Sequence, residues 1–414
     1  MFTNYMKLAL KVMVRRKFFT FISLFGISMT LVVLMVATAI LDNVYTARAP
    51  ESRFSRVLCV FHLMQKGNGS TMTTAPGYGF LDRYVRTLPG IELASIYSAA
   101  RATRIYLDDT AVNAHVKQTD GAYWKICDFT FLEGRPYTQA EDDSGARVAV
   151  ITDRLAAKLF GGTSALGKTV ELEGDNFRVV GVVPFVSNTR MAAYSEVWVP
   201  IGTNRSSTYR TEFSGNFQGL VLARSGADIP RLKREFLTLM KRTPSEDPKT
   251  FTHVYASLDT LFEATARGMF GGTKIRDRAP LVLAAILAGA ALLFMTLPAL
   301  NLVTLNLSRI LERASEIGVR KAFGAPRRAL VMQFVFENVV ITIIGGVVGF
   351  ALAAAAIYAL NNVSLWPDTR FDLNVRVFAY GMLLAAFFGV LSGLYPAWRM
   401  SRMNPVSALR GGVH

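Results

Sequence analysis

From Phe18 to Leu41 the chain carries no charge, and from Pro280 to Ser308 it carries none again. A stretch of roughly 20 apolar residues is what a helix needs to cross a bilayer. Two further runs meet the same test, one over 337–360 that is uncharged from Val339 to Leu360, and one from Val377 to Trp398. Inside lipid every backbone N–H and C=O must be satisfied within the segment, so such runs fold as helices. Between the first and second runs lie residues 42–279, with no comparable stretch. The expected fold is an α-helical membrane protein with four transmembrane helices. A large mixed α/β extracytoplasmic domain is inserted between the first two.

Composition agrees, because only 18% of residues are charged where a soluble chain has about 25%. Orientation follows from Lys and Arg beside the spans. The leader 1–17 holds five basic residues, the segment 309–336 six and the tail 399–414 three. Against these stand only Glu312, Glu316 and Glu337. The short loop 361–376 is balanced, with Arg370 and Arg376 against Asp368 and Asp372. Both termini are therefore expected in the cytoplasm and the large domain outside. The net charge of +16 reflects this topology and contact with anionic lipid, and needs no nucleic acid to explain it. Lys7, Lys11 and Arg15 form one basic stripe, which suits an amphipathic leader at the interface. The first apolar run is too long for a signal peptide, whose core is roughly 7–15 residues.

Within the large domain, Gly162–Thr169 reads GTSALGKT and fits the phosphate-binding pattern G-x-x-x-x-G-K-[ST]. A true phosphate loop follows a strand and opens a helix. Here Asp153–Phe160 has helical spacing before the match, and alternating strand-like runs follow it. Gly162, Gly167, Lys168 and Thr169 are thus read as a turn that imitates the motif. Other strands are expected at Val57–Leu63, Thr103–Leu107, Arg147–Ile151, Thr169–Leu172, Phe177–Val183, Glu196–Pro200 and Gly219–Leu222. A second helix is expected over Asp228–Lys241, with Asp228 as N-cap. Tyr194–Gly215, rich in Ser, Thr, Asn and Arg, reads as an exposed insertion. Cys59 and Cys127 are the only cysteines, and their spacing does not establish a disulfide. The four histidines form no metal-ligand spacing, and no catalytic arrangement stands out, so neither a metal nor a cofactor is expected in this chain.

The segment Glu312–Phe350 reads ERASEIGVRKAFGAPRRALVMQFVFENVVITIIGGVVGF. The second span continues here as a charged helix. Gly324 is placed to end it and Pro326 to open the next, making a short basic elbow. Gly345, Gly346 and Gly349 let a neighbouring helix approach closely. Pro298 is expected to kink the second span. On residues alone, a basic anchor for lipid head groups explains this elbow as well as a protein contact does.

These residues resemble the MacB/FtsX-type ABC transporter permeases. The likeness rests on EIGVRKAFGA at Glu316–Ala325, GGVVG at Gly345–Gly349 and NPVSALRG at Asn404–Gly411. In the outer domain it rests on YWKICDFTFLEGRPYT at Tyr123–Thr138, VAVITDRLAAKLFG at Val148–Gly161 and SALGKTVELEGDNFRVVGVV at Ser164–Val183. The resemblance implies a non-catalytic permease subunit that passes ATP-driven motion to its outer domain. ATP and Mg would be bound by a separate ABC ATPase, two copies pairing with two permeases, the second being this chain again or a paralogue. It implies further that Glu316, Gly318, Arg320, Lys321, Gly324 and Ala325 touch the ATPase, and that an adaptor or outer-membrane partner can join. Export or extraction of a substrate is the leading expectation. The alternative is an FtsX-like signalling permease that activates an outer partner such as a cell-wall hydrolase. A receptor without an ATPase fits poorly, because the inner segments are too short to hold an enzyme domain.

Overall fold

The uncharged run at the start of the chain forms helix α1, Lys17–Tyr45. Its buried residues Ser23, Ile27, Ser28, Leu31, Met35, Ala39 and Asn43 recur every three or four positions and so share one face. Phe18, Phe21 and Phe25 stand exposed on another face. The computed structural model describes residues 11, 13–15, 17–107, 110–270, 276–312, 326–363, 369 and 371–401. Most of the leader, the proposed ATPase contact Glu316–Ala325 and most of the tail lie outside these residues.

The described chain divides into two units. One contains α1 through Asn43 with the later helices, and the other runs from Val44 to Leu283 and includes Thr369.

In the first unit, the long helices at the C-terminal end are Ala279–Glu312, Arg327–Asn362 and Val375–Ser401. Among the described residues two helices are both long and apolar enough to cross a membrane, Lys17–Tyr45 and Val335–Asn362. The apolar parts of the other two are shorter, at Ala279–Phe294 and Val375–Leu391. Helix Ala279–Glu312 runs through Pro298 without leaving the α conformation. Pro326 takes the N-cap position before Arg327, with ψ 141°, as a residue that opens a helix does.

The glycines of GGVVG set the packing. A methyl group built on Gly349 would lie 3.1 Å from both the Cα and the carbonyl oxygen of Ser28. One on Gly345 would lie 3.0 Å from Ile27, and one on Gly346 only 2.1 Å from the sulfur of Met382. Helix Arg327–Asn362 therefore meets α1 almost backbone to backbone and receives Met382 of Val375–Ser401 on a second face. Asn361, near the end of helix Arg327–Asn362, bonds both backbone groups of Phe371 through its amide at 2.8 and 3.0 Å. Asn374 caps the last helix through the N–H groups of Arg376 and Val377.

The second unit is mixed α/β. Its first strands are β1 (Val57–Val60), β2 (Leu63–Gly67), β3 (Ser70–Pro76), β4 (Ile91–Ser98), β5 (Arg101–Leu107), β6 (Thr110–Thr119) and β7 (Glu133–Gly134). They continue as β8 (Val148–Thr152), β9 (Thr169–Leu172), β10 (Asp175–Val183), β11 (Val197–Pro200), β12 (Ser214–Gly215), β13 (Phe217–Ala223) and β14 (His253–Ala256). The large sheet has the order β1-β13-β4-β6-β11-β8-β10-β9-β5. Because β5 also pairs with β6, the last six strands close on themselves. Strand β11 lies in that ring between β6, to which it is parallel, and β8, to which it is antiparallel. A smaller sheet has the order β12-β3-β2-β14. The domain's entrance and exit meet where Cys59 and Asp259 exchange two backbone hydrogen bonds, of 2.6 and 2.9 Å.

The predicted helix Asp153–Phe160 forms with those bounds, capped by Thr152 in front and by Gly161 at φ 60° behind. The second predicted helix spans Ile229–Met240, but Asp228 does not cap it. Its carboxylate instead closes a capping box with Ser225 one turn earlier. The predicted strand Val57–Leu63 is two strands, broken at Phe61 and His62. Tyr194–Gly215 is not an exposed insertion as a whole. Ser195, Val197, Trp198 and Ile201 are buried because β11 fills the space between β6 and β8, and exposure is confined to short turns near Arg205–Thr208 and Arg210–Glu212.

Replacing Gly349 by Leu should force α1 and its neighbour apart and cost about 1–3 kcal/mol. Gly289 has open space around its Cα, so Gly289→Leu serves as the control. Thermal unfolding of the full chain in detergent should fall for the first variant and hold for the second.

Candidate functional site

The motif-like turn Gly162–Thr169 shows where its backbone donors go. Helix Asp153–Phe160 ends in front of it and β9 begins at its last residue, Thr169, so the order is helix, turn, strand. Gly162 and Gly167 have φ 85° and 77°, conformations glycine adopts without strain. The Gly167 N–H donates to the Val179 carbonyl at 2.9 Å, and the Lys168 N–H to the Ala165 carbonyl at 3.2 Å. Donors that would face a phosphate are thus spent on the domain's own backbone. The Lys168 ammonium lies 4.7 Å from the centre of the Phe160 ring and donates to the Thr163 hydroxyl. The turn is a helix-to-strand corner of the fold.

The stretch FLEGRPYT is also architectural. Gly134 has φ 70°, and a methyl group there would lie 2.1 Å from the Val180 carbonyl oxygen. Arg135 holds Glu141 through two bonds of 2.8 Å. With the Thr138 capping box this pushes the Glu141 carboxyl down to about 2. The next residue, Asp142, is buried and accepts the Gly202 N–H at 2.8 Å. Burial raises its pKa to about 6 in spite of that bond.

A set of charged side chains that the sequence did not point to lies deeper. Glu51, Lys117 and Arg190 are 1%, 1% and 7% exposed. Glu51 and Lys117 hold one irregular loop, Ser187–Tyr194, between β10 and β11, and Arg190 is the loop's own anchor. The Glu51 carboxylate accepts the Ala193 N–H at 3.0 Å and lies 3.6 Å from the Arg190 guanidinium. Arg190 donates to the Thr46 carbonyl at 2.7 Å, just after α1 ends. The Lys117 ammonium, on β6, donates to the Ala192 carbonyl at 2.6 Å and sits 5.0 Å from the centre of the Tyr97 ring. The Tyr123 hydroxyl donates to the same carbonyl at 2.9 Å. Ser187 shares a hydrogen bond with Thr369. Burial lowers the Lys117 ammonium to about 8 and raises the Glu51 carboxyl. Cys59 and Cys127 are free thiols buried in the same core, and burial pushes both upward.

An open cleft of about 760 Å³ lies beside this core, lined by Arg86, Asp120, Trp124, Lys125 and Tyr137 among others. Asp120 is fully buried and pairs with Arg86 at 2.8 Å. It also accepts the Ser95 hydroxyl and the N–H groups of Ile96 and Tyr123, so its charge is spent on holding β4 to the turn after β6.

Residues 20–239 match the family described as MacB-like periplasmic core domain, and residues 288–405 match FtsX-like permease C-terminal. The chain is 26% identical over 333 residues to an uncharacterized ABC transporter permease, YknZ, of Bacillus subtilis strain 168, covering 80% of this chain and 79% of that one. It is 28% identical over 331 residues to the macrolide export ATP-binding/permease protein MacB of Bdellovibrio bacteriovorus, covering 78% of this chain and 48% of that protein. The chain thus spans about half the length of the MacB relatives it matches. Among solved structures, the extracellular domain of YknZ aligns at TM-score 0.36 and 20% identity, over 48% of this chain and 98% of that one. The periplasmic region of MacB from Actinobacillus actinomycetemcomitans aligns at 0.37 and 14%, over 53% and 94%.

Two outcomes test the readings of the outer domain. Lys168→Ala should leave ATP hydrolysis by the purified transporter unchanged and cost less than about 1 kcal/mol of stability, since only an exposed cation–π contact and an exposed hydrogen bond to Thr163 are lost. Asp142→Asn should change how stability depends on pH. A carboxyl whose folded pKa is raised favours folding below its unfolded pKa, near 3.8, and loses that contribution as pH rises through about 6. The variant should therefore gain on the wild type by about 1–3 kcal/mol between pH 4 and 7, read as a narrowing difference in unfolding midpoints.

Proposed function

Because the chain belongs to the MacB/FtsX family of ABC transporter permeases, we propose that it couples ATP hydrolysis by a separate ABC ATPase to motion of its outer domain, driving export or extraction of a substrate. The observation that carries this reading is that both family descriptions match in order along one chain, the core domain before the permease domain. In this reading four helices cross the inner membrane, with both termini in the cytoplasm and the large domain in the periplasm or outside. Two described helices have the length and hydropathy for it. The 14 basic residues of the leader, the 309–336 segment and the tail support the orientation.

The contact with the ATPase is assigned to Glu316, Gly318, Arg320, Lys321, Gly324 and Ala325. Arg320 and Lys321 would meet carboxylates on the partner, where the paired charge is worth most if water is excluded. ATP with Mg belongs to that partner, two copies of which would serve two permeases. The force would then travel along helix Ala279–Glu312, which leaves the contact segment at its C-terminal end and the outer domain at its N-terminal end.

The test is purification in mild detergent with ATP hydrolysis measured on what is recovered. A separate ABC ATPase should accompany the wild-type chain, and Arg320→Glu should reduce the recovered partner at least about ten-fold, as loss of a buried charge contact does. ATP hydrolysis by the chain alone, abolished by Lys168→Ala, would overturn the reading. Stimulation by an outer hydrolase, with no candidate substrate moved, would favour the signalling form over the exporter.

A further inference from the structure

We infer that the loop Ser187–Tyr194 is the point at which movement of the membrane helices enters the outer domain, with Glu51, Lys117 and Arg190 as the positioning residues that make the joint rigid. The inference rests on the permease reading above and names the place where its motion is received.

Three observations carry it. First, the loop is held from three directions. Thr46 and Glu51 belong to the chain leaving α1, and they hold the loop through Arg190 and Ala193. Thr369 belongs to the segment between the last two long helices, and it bonds Ser187. Lys117 and Tyr123 belong to the sheet and to the turn of helix Tyr123–Ile126, and both donate to Ala192. Two separate leads from the helices thus end on the same eight residues.

Second, the fastening is built from buried charge. An irregular loop could be packed by apolar side chains, and replacing a buried ion pair by apolar groups is often neutral or stabilising. A buried carboxylate and two buried cations fix direction and register instead, because each must keep its partners or bear the full cost of desolvation. Such a joint does not slide by small steps. It either moves with its partners or breaks.

Third, the loop runs straight into β11, which lies between β6 and β8 in the closed ring of strands. Lys117 itself stands opposite Trp198 of β11 in the parallel register. A displacement of the loop is therefore delivered to the middle of the sheet and not to an edge.

The experiment uses the full chain with its ATPase. Leu237 is 54% exposed on the outer domain, and both native cysteines are buried, so Leu237→Cys takes a nitroxide label selectively. The distance between labels in paired copies is read by electron spin resonance with and without a non-hydrolysable ATP analogue. The wild type should show a nucleotide-dependent change. In Glu51→Gln/Arg190→Met it should fall at least about two-fold while ATP hydrolysis persists, the behaviour of a broken coupling element. If that variant fails to fold, Ser187→Ala/Thr369→Val decides, since it removes one lead and strands no buried charge, and it too should reduce the change. An undiminished change in a folded variant overturns this inference alone. No change in the wild type overturns the permease reading, and the inference with it.

Discussion

The paired backbone hydrogen bonds between Cys59 and Asp259 hold the outer domain in a form that can be inserted between two membrane helices. A domain placed there must begin and end at one place, because both of its leads return to the same surface. Strand β1 lies just inside the entrance, and Asp259 lies just before the last helix of the domain, Leu261–Met269. Their bridge closes a loop of some two hundred residues, and the entropy cost of closure grows only slowly with length. The neck is reinforced around it. Asp259 pairs with Arg267 at 2.9 Å, and the Tyr45 ring meets that of Phe262 at 5.3 Å. The Asp259 carboxyl is still raised by burial, so the bridge belongs to the dry core and not to the surface.

Of the four expected spans, two are matched among the described residues by helices long and apolar enough to cross a membrane, Lys17–Tyr45 and Val335–Asn362, because hydropathy acts over twenty residues and tolerates error in any one of them. The glycines of GGVVG were legible as packing residues for a related reason, since a missing side chain at helical spacing has few uses other than close approach. The order of elements around the turn Gly162–Thr169, a helix before it and a strand after it, was legible from the spacing of apolar residues. What the sequence could not convey is where its backbone donors go, and the carbonyls of Val179 and Ala165 answer that.

Strand β6 escaped the sequence reading although TAVNAHVKQT alternates, with Val112, Ala114 and Val116 in one phase and Asn113, His115 and Lys117 in the other. Lys117 falls on the polar phase of that alternation and yet is buried, which the pattern does not convey. Glu51 and Arg190 were hidden likewise, since nothing in the sequence separates a buried charge from a solvated one. Local rules tend to fail where function or strain demands an exception. The exposed insertion expected at Tyr194–Gly215 failed in the opposite sense, because it overlapped the strand expected at Glu196–Pro200, which is the buried β11.

The joint gains its meaning from the helices that lead to it. Within the membrane unit, Gly349 brings helix Arg327–Asn362 against the backbone of Ser28 on α1, where a methyl group would lie 3.1 Å from the Ser28 carbonyl oxygen. Backbone contact of this kind couples two helices more tightly than interdigitated flexible side chains, which can change rotamer to absorb a shift. Helix α1 continues into Thr46 and Glu51, and helix Arg327–Asn362 is followed along the chain by Thr369. Both leads hold Ser187–Tyr194. If the two helices moved independently, a loop gripped by both would be pulled apart, and its buried charges would lose their partners. If they move as one body, the loop inferred to be the joint would receive a single displacement and pass it to β11.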